Sequence, residues 1–209
     1  MTALGSLKSK ISKLESEMDT YQITKLEETI GKIIKILAEK EARMDRVIQL
    51  NRAIVRDCAR AIKHVHNEEV KECEKIVESL EPKMKSLTRD AEGFEGIASS
   101  CWQEYTEVKC LLAIVQKKEM PDYEELGVPY LEYLTGLCDC TGELRRLMQT
   151  SLMNGKKKDA EYYFAKMNEI YDNVMTIKYS GSLIGSLKRK QDVARSQVEQ
   201  ARSEMLRHA

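Results

Sequence analysis

Apolar residues recur at helical spacing along nearly the whole chain, and alternating strand patterns are nearly absent. The longest run spans about 22 to 67. Its apolar row passes through Leu26, Ile30, Ile33, Leu37, Met44 and Ile48 and continues through Ile54, Cys58, Ala61 and Val65, with Gly31 the only glycine and no proline. A second helix is predicted over 68–89, with Pro82 as a point of kinking or breakage. After the loop "AEGFEG" come helices of about 99–118, 129–153 and 157–178. The first of these is closed by "KKEMPDYEELGVP", and the other two are separated by a turn at Asn154-Gly155. A last helix runs to about 205, and residues 5–19 form a polar leading helix. Six to seven helices with short connections predict an all-α, antiparallel bundle, one domain over 1–209 with 1–22 as an extra polar segment.

Two seams in this pattern are thin. The apolar positions of the last helix (Leu183, Leu187, Val193, Val198, Met205) are sparse, as are those of 5–21. Helices of this kind either find a partner in another subunit or end as solvated tails.

One helix carries charge on the wrong face. In "CWQEYTEVKCLLAIV" (101–115), a rotation of ~100° per residue gathers Tyr105, Val108, Leu111, Leu112 and Val115 in one apolar arc. Glu104 falls inside that arc and Glu107 on its edge, while Gln103, Thr106 and Lys109 fall on the polar side. A buried carboxylate must be paired or bound to a cation. Two of them one turn apart repel, which raises a pKa or calls for a positive charge between them. Either a hard divalent ion or a Lys or Arg from a neighbouring helix meets that demand.

A second acidic pair lies in "PYLEYLTGLCDCTGELRRLM". Its apolar row is Tyr130, Leu134, Leu137, Thr141, Leu144 and Met148; Asp139 and Glu143 share another face with Glu132 and Arg146. Gly136 and Gly142 flank Asp139 by one turn on either side. They leave room for close helix approach or for a substrate backbone. Either Glu143 bridges to Arg146 on a solvated face, or the two acidic helices adjoin. In the second case Glu104, Glu107, Asp139 and Glu143 converge as ligands for Mg²⁺ or Mn²⁺, able to activate water against a phosphodiester. The Glu-x-x-His element of di-iron bundles is missing from both helices, and His64, His66 and His208 lie far from them in sequence. Histidine general-base chemistry is therefore disfavoured.

These segments resemble the translin and TRAX (translin-associated factor X) family, including its single-protein archaeal members. The resemblance runs from about residue 24 onward and rests on "YLTGLCDCTGELRR", "QEYTEV", "LKRKQDVARSQVE" and "RDCARAIKHVH". It implies an all-α fold of about seven helices, assembly into closed homo-oligomers, commonly octamers, and binding of RNA or single-stranded DNA. TRAX-type members are Mg²⁺-dependent endoribonucleases, whereas translin itself supplies binding surface. Glu104 and Glu107 match the TRAX glutamate pair, and Asp139 and Glu143 match the acids of its second stretch. The interval from Glu107 to Asp139 is short for the family, and the residues before about 22 have no counterpart in it.

Lys plus Arg and Asp plus Glu both total 34, so a nucleic-acid surface has to be a local patch. Arg52, Arg56, Arg60 and then Lys63 or His64 form such a stripe on one face of the long helix, suited to phosphate or, equally, to neighbouring carboxylates. Lys188, Arg189, Lys190 and Arg195 form a second basic cluster, read as an RNA surface, a solvated face or a subunit contact. Tyr105, Tyr130 and Tyr163 fit core rows and Trp102 falls at the border of its apolar arc, a position more often core than platform, so stacking platforms are poorly supported. The six cysteines show no zinc spacing and read as reduced core thiols. No stretch reaches the ~20 apolar residues of a membrane span, and the expected location is cytoplasmic. The rivals to a metal-dependent endoribonuclease are a non-catalytic binder of RNA or single-stranded DNA with the same fold, and a helical scaffold.

Overall fold

The computed structural model describes residues 24–208 and, before them, residues 8, 10, 12 and 13. These last four are helical and exposed; the rest of the leading helix expected over 5–19 lies outside the described residues. From residue 24 the order is α1 (Lys25–His66), α2 (Val70–Asp90), α3 (Glu95–Val115), α4 (Tyr123–Leu126), α5 (Tyr130–Met153), α6 (Lys157–Val174), α7 (Gly181–Ile184) and α8 (Leu187–Arg207). No strand occurs among the described residues.

Local chemistry sets the boundaries. The α1 helix starts at Lys25 because Thr24 and Glu27 cap each other: the Glu27 amide donates to Thr24 Oγ1 (3.2 Å) and the Thr24 amide to Glu27 Oε2 (2.6 Å). The same box, Asp122 with Glu125, nucleates α4 inside a segment read as loop, and Gly127 closes it at φ 63°. The α2 helix runs through Pro82 without a break. Gly155, at φ 70°, makes the expected turn between α5 and α6.

The chain divides into two compact units, residues 1–43 and 44–209. In the first, the apolar row of α1 is not core. Leu26, Ile30, Ile33, Ile34, Ile36 and Leu37 are all exposed, Leu26 at 68%.

The second unit is built around α5, against which α3, α6 and α8 pack, with α2 against α3. Its core takes Ile54, Cys58 and Val65 from α1, Leu80 and Leu87 from α2, Leu111 and Ile114 from α3, and Leu144 and Met148 from α5. Two rows differ from expectation. Tyr130 is 59% exposed because it occupies the first turn of α5, ahead of the packed stretch. The α8 helix needs no partner to bury its inner face, which is Leu187, Gln191, Ala194, Val198 and Ala201, whereas Val193, and Leu183 in α7, are exposed. All six cysteines are buried and unpaired. No helix among the described residues is long and apolar enough to cross a membrane.

Candidate metal and nucleic-acid site

The α3 helix is wrapped on more sides than a single apolar arc provides. Thr106, expected on its polar side, is fully buried, because Gly136 of α5 lies against it. A Cβ at Gly136 would stand 2.6 Å from the Gln103 carbonyl oxygen and 2.8 Å from Thr106 Cβ. This close approach brings the two acidic helices side by side. At Gly142 no atom lies within 4 Å of such a Cβ, so the two glycines perform separate tasks, one for packing and one for open space.

The open space is a cleft of about 580 Å³ in the second unit, lined by Glu104 and Glu107, by Asp139, Gly142 and Glu143, and by Lys63, Arg146 and Lys190. All four sequence-predicted acids therefore share one cavity. Glu107, placed at the edge of the arc from sequence, is the deeper of its pair at 8% exposure, and Glu104 is half-buried.

The four carboxylates are not equivalent. Lys190 Nζ lies 2.6 Å from both Asp139 oxygens. Glu143 pairs with His66 Nε2, not with Arg146. The hydrogen bond with His66, ahead of the His66 and Arg146 charges, holds the Glu143 carboxyl below its usual range against burial. Glu104 and Glu107 have no ion-pair partner among the described residues. Burial, and then the charges of Asp139 and Glu143, raise Glu104, with Lys190 opposing. Burial, followed by the charges of Glu104, Asp139 and Glu143, pushes Glu107 up to about 9.

His66 corrects the sequence expectation that no histidine lies near the acids. It ends α1, its side chain is 6% exposed, and its Nδ1 is buried without a hydrogen-bond partner. The thiols take no part: burial pushes Cys138, at the cleft wall, up to about 12.

The donor set suits a hard divalent cation. It is all oxygen, drawn from two abutting helices, with two carboxylates raised by burial and by their acidic neighbours, and with room beside Gly142. As the side chains stand, no three potential ligands among the described residues are arranged to hold a metal ion. Asp139 is paired with Lys190 and Glu143 with His66.

The basic stripe stays exposed along α1. Arg52, Arg56, Arg60 and Lys63 are all at the surface, and Ala59 and Lys63 reach the cleft. Arg60 is engaged with buried Asp57 (3.0 Å), which also binds Lys83 (2.6 Å).

The model of the translin family matches residues 25–203. The chain belongs to the translin family. An uncharacterized protein of Methanocaldococcus jannaschii is 30% identical over 178 residues, 83% of this chain and 80% of that protein. Among solved structures, the AfC3PO–duplex RNA complex matches with a TM-score of 0.79 at 25% identity, covering 86% of this chain and 96% of that one. Apo-NeC3PO matches with the same TM-score at 20% identity, a likeness of fold. For a translin-family chain, the cleft between α3 and α5 holds every acid that the resemblance to TRAX implies.

Proposed function

We propose that this translin-family protein is a divalent-metal-dependent endoribonuclease acting on single-stranded or short structured RNA. The observation that carries the reading is the convergence of Glu104, Glu107, Asp139 and Glu143 in one cleft. Glu104 and Glu107, which have no ion-pair partner among the described residues, are the first ligands for Mg²⁺ or Mn²⁺; Asp139 and Glu143 complete the acidic set. An ion bound there supplies Lewis-acid stabilisation of the phosphoryl oxygens and lowers the pKa of a coordinated water. His66 fixes the orientation of Glu143. Lys63 and Arg146 stand at the cleft wall, where phosphate oxygens would arrive from the stripe of Arg52, Arg56 and Arg60. AfC3PO has been captured in complex with duplex RNA, which supports RNA as the ligand proposed here.

The test is a time course with end-labelled RNA in Mg²⁺, Mn²⁺ or EDTA, with Glu104→Ala alongside. Cutting that requires metal and is lost in the variant is expected. Salt-sensitive binding with no cutting in any condition favours the second reading, a non-catalytic binder of RNA or single-stranded DNA. That reading draws on the two acids already paired with Lys190 and His66.

The exposed row Leu26, Ile30, Ile33 and Leu37, with Ile34 and Ile36 beside it, supports a homo-oligomer. The octamer is the proposed state. Light scattering is expected to give about eight times the 24.0 kDa of one chain, and Ile33→Lys with Leu37→Lys to lower that mass. A wild-type chain that scatters as a monomer at micromolar concentration removes the proposal.

A further inference from the structure

Of the four carboxylates, Asp139 is the one paired with a lysine ammonium. Lys190 sits at the start of α8, in a basic run (Lys188, Arg189, Lys190) whose other two members are exposed. Its ammonium is 2.6 Å from each Asp139 oxygen, a symmetric two-oxygen contact of the kind a metal ion would take. Its charge also acts on Glu104 and Glu107 from the same place, so one ammonium bears on three of the acids together. The ammonium and Asp139 are both only about a third exposed, and both line the cleft. A lysine delivers a point charge on a flexible four-carbon stem, so it can leave Asp139 without moving α8.

We propose that Lys190 is the resident counter-ion of the acid cleft, competing with the divalent cation for Asp139 and surrendering it when the cation enters. The inference rests on the metal-site reading above and adds a residue to it. With Lys190 on Asp139, the side chains of the described residues show no three-ligand cluster although four acids line the cleft. Two opposed consequences follow. Without metal, Lys190 balances Asp139 and eases its repulsion of Glu104. With metal, it is a rival whose removal leaves the site more negative and tightens binding. His66 is not a second such rival. Its ring is buried and Nδ1 has no partner, so it cannot swing away as a lysine can.

The full chain is compared as wild type, Lys190→Met, Lys190→Gln and Lys190→Arg. Mn²⁺ binding is measured by calorimetry, and Tm is measured in EDTA and in saturating Mn²⁺. Lys190→Met and Lys190→Gln are expected to bind Mn²⁺ about tenfold more tightly than wild type. Both should melt lower than wild type in EDTA, and the gap should close in Mn²⁺. Lys190→Arg, which keeps the charge, should follow wild type in both measurements. Equal Mn²⁺ affinity in wild type and the two neutral variants overturns the proposal and leaves the metal site standing. Mn²⁺ binding by none of the four proteins overturns the metal site itself, and the competition with it.

Discussion

Gly136→Ala is expected to destabilise the protein by about 3 kcal/mol, although alanine is the better helix former by about 1 kcal/mol. The added carbon would lie 2.6 Å from a backbone carbonyl oxygen and 2.8 Å from Thr106 Cβ. Neither is the end of a flexible side chain. Thr106 is fully buried, and its hydroxyl already donates to the Trp102 carbonyl at 2.9 Å, so it has nowhere to turn. Relief requires α5 to move off α3. Because Asp139 and Glu143 follow Gly136 by about one and two turns, and Glu104 and Glu107 neighbour Gln103 and Thr106, the same movement widens the acid cleft. Stability and Mn²⁺ affinity should therefore fall together. Gly142→Ala is the control: its Cβ meets nothing within 4 Å, and it should gain about 0.5 kcal/mol. Urea denaturation of the three proteins decides the matter. A Gly136→Ala midpoint equal to wild type would contradict the close packing described for α3 and α5.

The contrast between these glycines marks where the sequence is informative and where it stops. Two glycines around Asp139 are visible in the one-dimensional pattern as a departure from good helix composition, but which one abuts a neighbour is decided by the facing helix. The acids on α3 were legible because charge interrupted an apolar arc. Their relative depth was not, since α3 is covered by α2 on one side and α5 on another, which buries Thr106 and Glu107 beyond the arc's edge. That His66 and Lys190 are the partners of Glu143 and Asp139 was not legible, for a shared reason. Each is separated from its carboxylate by more than fifty positions, and each sits among other basic residues at a helix end. Only the packing of α1 and α8 about α5 selects them. The inner face of α8 escaped notice because it is made with Ala194 and Ala201, which let helices approach closely but leave a weak apolar signal. Along α1 the pattern of Leu26 to Leu37 announces an apolar face without saying what covers it.

Without divalent metal, the stability of the wild-type protein is expected to fall as pH rises from about 4.5 to about 9, and Glu107→Gln should remove most of that slope. The Glu107 carboxyl ionises near 4.5 in the unfolded chain but is pushed up to about 9 in the fold, by burial first and then by the charges of Glu104, Asp139 and Glu143. Within that window the folded protein holds a proton that the unfolded chain has released. Its contribution is complete below 4.5 and is lost as pH climbs through 9. One proton difference is worth about 1.4 kcal/mol per pH unit, so the loss between pH 4.5 and 7 is on the order of 3 kcal/mol. Glutamine keeps the shape and never ionises, so the variant should be the more stable protein in EDTA at pH 8. A shallower residual slope should persist from Glu104, which is raised in the same sense. Glu143 and Glu204, held low by His66 and Arg145, act in the opposite sense and lose their stabilisation only as pH falls through their lowered values, so they do not mask the effect. Millimolar Mn²⁺ should reverse the order, stabilising wild type at pH 8 while leaving Glu107→Gln little changed, because the charge that repels its neighbours is the charge that binds the ion. Thermal unfolding at four pH values, with and without Mn²⁺, reads all of this in one series. Parallel curves for the two proteins in EDTA would show that Glu107 is already ionised and compensated in the fold, and the cleft would then need no cation.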